Sequence, residues 1–458
     1  MIACVGPARP AVEVADVIRE YGAAFRARYG GALSSGQRRV LHDLAVCRTA
    51  ALGGHLQRCD DCGHQTPAYN SCRNRHCPKC QAASRAAWLD REAGFLLPVA
   101  YHHVVFTLPA EAAAALAQPA LFYDLLFQAA AATLRDVAAN PKRLGAQLGV
   151  LMVLHIWGQN LHHHPHVHCV ATGGGLSCNS QGIVDAAPQW RSCRPGFFLP
   201  VRVLSRVFRG KYLALLRQAF ARGRLRGWPD AIAFGRWLAP LSTQEWVVYA
   251  KPPFGGPQRV LSRVFRGKYL ALLRQAFAQG RLRGWPDADA FGRWLAALST
   301  QEWVVYAKPP FGGPERVLKY LAGYTHRVAI SNHRLVSLAE GRVTFRYKDY
   351  ADDRRPKTMS LSAEEFLRRF VQHVLPKGFV KVRHYGLLAN RRRVERLEMS
   401  RRLLLVVATA ALLAGATPRE AEAIEPVRVR CCPRCGSVRL TTIAVPRGGA
   451  AAPVEDTS

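Results

Sequence analysis

Two closely spaced cysteine pairs constrain the fold of this chain more than any other feature. The segment CDDCGHQTPAYNSCRNRHCPKC carries Cys59-x2-Cys62 and Cys77-x2-Cys80, with fourteen residues between the pairs. Each pair spans one tight turn, and two such turns supply four thiolates, a frequent ligand set for structural zinc. The sequence therefore predicts one closed zinc site made by these four cysteines, with a small domain folded around the metal.

The remaining cysteines leave several readings open. Four nearby residues could replace one ligand or bind a second ion: Cys72, His55, His64 and His76. The later pair Cys432-x2-Cys435 is half of a metal site, and buried thiols explain it about as well as a second zinc knuckle. The first residues, MIACVGPARPAVEV, show no basic start followed by an apolar core, so we expect a cytoplasmic protein. In a reducing compartment, clustered cysteines indicate metal more often than disulfides.

The charge balance points to nucleic acid. Lys and Arg total 64 against 31 acidic residues, which gives a formal net charge of +33. A high-GC genome would explain the preference for Arg over Lys, but it would not explain the shortage of acids. A polyanion such as DNA would neutralise this charge through phosphate contacts. Six cations in two basic segments are the predicted DNA contacts: Arg73, Arg75, Lys79, Arg391, Arg392 and Arg393.

Composition divides the chain into three blocks. We predict a helical zinc-binding domain over residues 1–93, a domain of alternating strands and helices over 95–375, and a basic helical region with a disordered tail over 376–458. The most apolar run, residues 403–415, is too short to span a bilayer, so it predicts a buried helix and no membrane partner. These blocks indicate an α+β fold.

The middle block contains a near-perfect tandem repeat. Residues 202–258 recur as residues 259–315 with four changes. They are Arg222/Gln279, Ile232/Asp289, Pro240/Ala297 and Gln258/Glu315. Repeats of a solenoid are usually more numerous and more divergent. Two nearly identical copies indicate a recent in-frame duplication, and we expect one copy to be surplus and to bulge from the fold.

The stretch HHHPHVHCV, residues 162–170, reads as a loop followed by a strand. Residues two apart in a strand share a face, so His166 and His168 would point together as a chelating pair. Two imidazoles leave coordination positions open, which suits a catalytic divalent ion. Gln159, at the end of the preceding strand, is a candidate third ligand if the two strands form a hairpin. We expect residues 162–164 to be solvated or to face DNA.

Two tyrosines follow the repeat in PERVLKYLAGYTHRVAI, residues 314–330. Tyr320 and Tyr324 are four apart in a segment with helical spacing, so they share one helix face. Such a pair alone usually indicates core packing. Beside a metal-binding histidine pair in a strongly basic chain, it indicates nucleophiles, because a phenolate can attack a phosphodiester that a divalent ion polarises.

Taken together, these motifs resemble the two-tyrosine HUH rolling-circle transposases of the insertion-sequence-91 family. The resemblance includes YNSCRNRHCPKCQ, YHHVVFTLP, HIWGQNLHHHPHVHCVATGGGL and LPKGFVKVRHYGLLANRRR. It implies an HUH-type antiparallel sheet flanked by helices, with an N-terminal zinc domain. It also implies His166 and His168 as ligands of Mg²⁺ or Mn²⁺, and Tyr320 and Tyr324 as nucleophiles. The expected substrate is single-stranded DNA, cleaved through a 5′-phosphotyrosine without a nucleotide cofactor.

The chain departs from this family by its duplicated block, which lies between the histidines and the tyrosines. Three other interpretations therefore remain. They are a plasmid rolling-circle replication initiator with the same chemistry, a non-catalytic zinc DNA-binding relic inactivated by the duplication, and an RNA-binding zinc protein. The last has no use for paired tyrosines. Covalent attachment to DNA separates an active enzyme from the relic.

Overall fold

The computed structural model describes residues 10–109, 112, 118–194, 197–244, 246–250, 278–279, 287–289, 291, 329–349, 355–413 and 432–444. The α-helices within these ranges include α1 Val14–Tyr29, α2 Ser35–Ala45, α3 Gln81–Ala93, α4 Pro119–Ala139, α5 Val201–Ala221, α6 Ala231–Thr243, α7 Ala363–Gln372 and α8 Arg393–Leu413. The strands are β1 Gly54–Cys59, β2 Gln65–Tyr69, β3 Tyr101–Thr107, β4 Ala146–Trp157, β5 His163–Ser177, β6 Trp190–Ser192, β7 Val248–Ala250, β8 Leu335–Ala339, β9 Arg342–Asp349, β10 Arg355–Ser362, β11 Val382–Gly386 and β12 Leu440–Ala444.

A six-stranded sheet forms the centre of the molecule, with strand order β11-β4-β5-β3-β7 and β6 paired to β5. All of its pairings are antiparallel. The strands β4 and β5 are buried along most of their length. Their sequences are correspondingly apolar without strict alternation, which is the pattern of strands covered on both faces. With helices on both sides of this sheet, the predicted α+β class is confirmed.

The two faces of the sheet are covered by different elements. On one face, Phe106, Met152 and Val167 belong to a large core that includes the buried side of α4 and α5. Burial of this apolar surface is the main stabilising contribution to the fold. On the other face, Val153 and Val170 pack in a smaller cluster with side chains from α3 and α8. His155, His166 and His168 have the parity of this second face, since residues two apart along a strand share a side.

The first copy of the repeat is docked on the sheet. Its α5 packs against α4, and its β7 extends the sheet by pairing with β3. Phe208 and Tyr212 on α5 are fully buried. The sequence predicts that one copy is surplus, but it does not indicate which copy that is. The structure places residues of the first copy in the core. Most of the second copy lies outside the described residues.

Three of the four positions that differ between the copies lie within the described residues of the first copy, and they do not distinguish the copies by packing. Arg222 and Pro240 are exposed, and 67% of the Ile232 surface is accessible. The aspartate at position 289 therefore replaces a residue that is on the surface in the first copy, and a charge there carries no burial penalty. The two copies are consequently equivalent at the buried positions of α5 and α6, which are identical in sequence.

Replacing Phe208 by Ala is expected to destabilise the protein by about 3–5 kcal/mol, because it leaves a cavity under α5. Chemical denaturation would measure the loss. The matched change in the second copy, Phe265→Ala, leaves α5 untouched and serves as the control. Equal losses for the two variants would contradict preferential docking of the first copy.

The two ends of the chain are built into one structure. The first helices α1 and α2 pack beside α7, with Gln37 Nε2 donating to the carbonyl oxygen of Val371 at 2.9 Å and Arg28 paired with Glu364 at 3.0 Å. The strand β11 lies beyond the predicted boundary at residue 375 and yet pairs with β4 in the central sheet. The strand β12 pairs with β1 near the start of the chain. The predicted boundary at residue 375 corresponds to a change in charge along the sequence. It does not correspond to the end of the central sheet, which includes β11.

The apolar run after residue 402 continues helix α8. Leu405 and Val406 expose 67% and 69% of their surfaces, so the prediction of a buried helix is wrong at these positions. The neighbouring Leu404 is partly buried against the smaller cluster on the second face of the sheet. Of the helices in the described ranges, none is both long and apolar enough to cross a membrane.

Candidate metal centre and cysteine clusters

Three histidines from two adjacent strands converge on one face of the central sheet. His166 and His168 alternate along β5 with Val167, which points into the opposite core. The pairing of β4 with β5 sets His155 directly opposite His166. One nitrogen from each of the three rings lies within 4.8 Å of the others. This is a ligand set for one divalent ion, and three protein ligands leave positions for a substrate.

Burial holds two of these three imidazoles, His155 and His166, in the form that binds metal. Their exposed fractions are 9% for His155, 9% for His166 and 6% for His168. Burial lowers the pKa of His166 to about 4 and that of His155 well below its usual value. Both rings are therefore neutral at physiological pH, and a neutral imidazole is the metal-binding form.

Hydrogen bonds orient all three rings, and Nδ1 of His155 lies 3.0 Å from Nε2 of His166. The Nδ1 of His166 lies 2.6 Å from the carbonyl oxygen of His164. A carbonyl can only accept, so Nδ1 carries the proton and Nε2 presents its lone pair. The Nδ1 of His168 lies 2.8 Å from Nε2 of His103, a neighbour on β3. Such outer contacts fix the tautomer and the orientation of ligating histidines.

Three residues of this site were missed by sequence reasoning. His155 belongs to the strand that precedes the histidine stretch, and His103 lies in the motif YHHVVFTLP; the signal that could have found them is register. The third is Lys381, whose ammonium lies 4.9 Å from the ring centre of Trp157, beside the histidines. Burial is the main cause that lowers its pKa to about 7. In its protonated form this side chain places a positive charge close to the histidine cluster.

The predicted third ligand, Gln159, lies in the turn after β4, where its carbonyl oxygen accepts a hydrogen bond from Arg334. The third nitrogen comes from His155 instead. The strand β4 extends to Trp157, and its pairing with β5 places His155 opposite His166. The expectation of solvated histidines holds for His162 and His164, which are exposed, although His164 lies in β5 and not in a loop. It is wrong for His163, which begins β5 and lies 2.8 Å from the Tyr123 hydroxyl.

The two predicted nucleophiles, Tyr320 and Tyr324, lie outside the described residues. Their assignment as nucleophiles remains a prediction from the sequence. It depends on their spacing of four residues and on the histidine pair that precedes them in the chain.

The four cysteines predicted as one zinc site lie in two separate clusters. Cys77 and Cys80 join Cys47 and Cys72, while Cys59 and Cys62 join the late pair Cys432 and Cys435. The single four-cysteine site is thus corrected. The physical reason is that Cys59 and Cys62 flank the turn between β1 and β2, whereas Cys80 immediately precedes α3 beside the end of α2. Each pair therefore meets a different partner pair.

The predicted DNA contacts are divided by their surroundings. Arg75 is half-buried and donates to the carbonyl oxygens of Phe379 and Pro376, at 2.7 and 2.9 Å. Lys79 forms a partly buried ion pair with Glu13 at 2.7 Å. Both side chains therefore have partners within the protein. The structure does not support their prediction as DNA contacts.

The other predicted cations are more accessible. Arg73, Arg391 and Arg392 are exposed, as phosphate contacts require. Arg393 is intermediate in exposure and stacks over the ring of Phe95, with 4.2 Å between its guanidinium carbon and the ring centre. A cation–π contact of this kind stabilises the start of α8.

Comparison with known proteins identifies the family. A family profile described as a putative transposase matches residues 149–263 and 256–396, and one described as a transposase zinc-binding domain matches 17–108. The putative transposase y4qJ of Sinorhizobium fredii is 45% identical over 443 residues, covering 96% of each chain. This chain belongs to the insertion-sequence-91 family of transposases. The transposase of insertion sequence element IS801 from Pseudomonas savastanoi pv. phaseolicola is 27% identical over 357 residues, 76% of this chain and 69% of that protein.

This membership settles the broad class of the protein. The chain is a member of a family of DNA-cutting enzymes, with DNA as its partner and with a zinc-binding N-terminal domain. The predicted resemblance is confirmed. The transposase profile matches in two pieces that overlap at the boundary between the repeat copies, and each piece includes one whole copy.

Proposed function

We propose that this transposase cleaves and rejoins single-stranded DNA through 5′-phosphotyrosine intermediates in rolling-circle transposition, with Mg²⁺ or Mn²⁺ at the histidine cluster. The observation that carries the proposal is the convergence of His155, His166 and His168 within ligand distance of one another. Three convergent imidazole nitrogens with open positions fit a divalent ion that works on a substrate.

The electrostatics of the site support a phosphate substrate. A divalent ion bound at the histidines would polarise the phosphoryl oxygen of a scissile phosphodiester. The buried Lys381 lies beside the cluster, and in its protonated form it supplies a second positive charge close to the same place. His103 is a positioning residue, because its contact with His168 fixes that ring without reaching substrate.

Tyr320 and Tyr324 are the proposed nucleophiles. The phenolic oxygen of one tyrosine forms a bond to phosphorus while the bond from phosphorus to the 3′ oxygen breaks, and the phenol proton passes to the leaving 3′ oxygen. The phosphotyrosine retains the energy of the broken bond, so no nucleotide cofactor is required. A 3′-hydroxyl then attacks the phosphotyrosine, rejoins the strand and restores the phenol. Two tyrosines allow two such transfers without release of the DNA.

The duplicated block lies between the histidines and the tyrosines in the chain, so it could move the nucleophiles away from the metal centre. With the first copy docked through α5 and β7, the second copy stands between the sheet and the tyrosines in the chain. A non-catalytic DNA binder is therefore the second candidate, and a specific experiment distinguishes the two.

The experiment compares the full chain with variants that lack residues 259–315 or residues 202–258. The two deletions give chains that differ only at the four positions where the copies differ. Each protein is incubated with Mn²⁺ and single-stranded oligonucleotides from the flanks of its gene. The readout is a covalent protein–DNA adduct, mapped to a residue by mass spectrometry, with a chelator as the control.

We expect a metal-dependent adduct on Tyr320 or Tyr324 in both shortened chains, at similar rates, because three of the four differing positions are on the surface. An adduct in the full chain as well shows an active transposase that tolerates its repeat. An adduct only in the shortened chains shows that the duplication inactivates this copy. If no protein forms an adduct with flanks proven to contain element ends, the non-catalytic binder replaces the proposal.

A further inference from the structure

A second cluster of cysteines joins the two ends of the chain. We propose that Cys59, Cys62, Cys432 and Cys435 bind a structural zinc ion of their own, and that this ion attaches the C-terminal segment 432–444 to the N-terminal domain. The proposal is independent of the DNA chemistry at the histidines.

The sulfur positions fit one tetrahedral ion. The Sγ atoms of Cys59 and Cys435 are 3.5 Å apart, and those of Cys62 and Cys432 are 3.6 Å apart. All four sulfurs lie within 4.8 Å of one another. A zinc–sulfur bond of about 2.3 Å in a tetrahedron places its sulfurs about 3.8 Å apart. The four thiols are therefore close to the spacing of a bound set without movement of the backbone.

Both halves of this cluster have the same local structure. They read CDDCG and CPRCG, and each glycine adopts a positive φ, +69° at Gly63 and +76° at Gly436. The amide of Gly63 donates to the carbonyl of Cys59, and that of Gly436 to the carbonyl of Cys432, both at 2.9 Å. A left-handed residue after the second cysteine favours glycine. The third pair, CPKCQ, has Gln81 at this position, and its partners are Cys47 and Cys72.

Backbone pairing continues from the two turns into a small sheet. The strand β12 is antiparallel to β1, which also pairs with β2, so the order is β12-β1-β2. The Asp60 amide donates to the carbonyl of Arg439 at 3.0 Å, and Thr441 Oγ1 donates to the Asp60 carboxylate at 2.9 Å. Two knuckles that face each other at the end of a three-stranded sheet form a compact zinc module.

Apart from this strand pairing, segment 432–444 buries little apolar surface that would stabilise its position. Within residues 432–444, Cys432 is the one buried residue, and those of β12 are mostly exposed. A short edge strand with so little apolar burial is marginal in water. Metal binding can supply the missing free energy, because coordination energy in such modules is folding energy.

Neither profile match accounts for this arrangement. The zinc-binding-domain match covers residues 17–108, which include all of the other cluster but only half of this one. The transposase match ends at residue 396. The C-terminal pair is thus an addition to the matched domain, supplied from far along the chain.

The test counts thiolate-bound metal in the full-length protein. Metal-free protein is titrated with Co²⁺, and the sulfur-to-cobalt charge-transfer band is followed because ligation by the histidine cluster does not produce it. We expect saturation at two equivalents for the wild-type chain and at one equivalent for the Cys432→Ser/Cys435→Ser variant. The matched control is Cys178→Ser/Cys193→Ser, whose cysteines lie outside both clusters and which should retain two equivalents.

Hydrogen exchange of β12 gives a second readout that does not depend on a variant. The amides of β12 should be protected in the zinc-loaded wild type and lose that protection when zinc is chelated. Saturation of the wild type at one equivalent would overturn the proposal. So would an unchanged count in the Cys432→Ser/Cys435→Ser variant, or protection of β12 that is the same with and without metal.

Discussion

Replacing His166 by Ala is expected to reduce the rate of DNA cleavage by at least about 1,000-fold. His166 lies opposite His155 and one strand position from Val167, so its loss removes one of three convergent nitrogens and leaves too few to hold the ion. Stabilisation of developing charge by a metal ion is worth several kcal/mol, and about 4 kcal/mol corresponds to this factor. Single-turnover cleavage of an end-labelled oligonucleotide with Mn²⁺ would measure it.

Affinity for DNA should change little in the same variant, because the exposed cations Arg73, Arg391 and Arg392 are untouched. The matched control is His162→Ala, which changes an exposed histidine of the same segment and should cleave at the wild-type rate. If His166→Ala protein cleaves as fast as wild type, the histidine cluster has no catalytic metal role.

The second large effect is expected at the tyrosines. A Tyr320→Phe/Tyr324→Phe variant should form no covalent adduct, since phenylalanine lacks the oxygen that attacks phosphorus. Each single variant should still form an adduct through the remaining tyrosine and should fail in complete strand transfer. Denaturing electrophoresis of the protein with labelled DNA separates these outcomes.

Tyr347→Phe is the control for this experiment. It removes a hydroxyl from a partly buried tyrosine of β9 that has no place in the proposed chemistry. Its adduct yield should equal that of the wild type. An adduct that persists in the double variant would assign the nucleophile to another residue.

At the metal centre, the local sequence pattern predicts two of the three histidine ligands. The alternation of His166, Val167 and His168 predicts a shared face, because a strand repeats every two residues. The third nitrogen depends on the partner strand, and its position changes with register. The sequence indicated a hairpin and suggested Gln159, whereas β4 pairs with His155 opposite His166. A shift of register by one residue would have turned His155 to the other face.

The cysteines show the same limit over a longer distance. The Cys-x2-Cys spacing predicts a tight turn at each pair, because four consecutive residues form such a turn without contacts from distant segments. The choice of partner pair was decided only in the tertiary structure. Cys62 meets Cys432 across 370 residues of chain, and the spacing within the cysteine pairs does not distinguish that pairing from one with the nearby Cys77.

By itself, the sequence determined the α+β class, the transposase family, the shared face of His166 and His168, and the identity of the two repeat copies. These follow from periodicity, motif and composition, which are properties of contiguous residues. Only the tertiary structure decided that His155 completes the metal centre, that the first copy occupies the sheet edge, and that the cysteines divide between two clusters. Each of those depends on which distant segments pack together, and burial and strand pairing of the whole chain determine that choice.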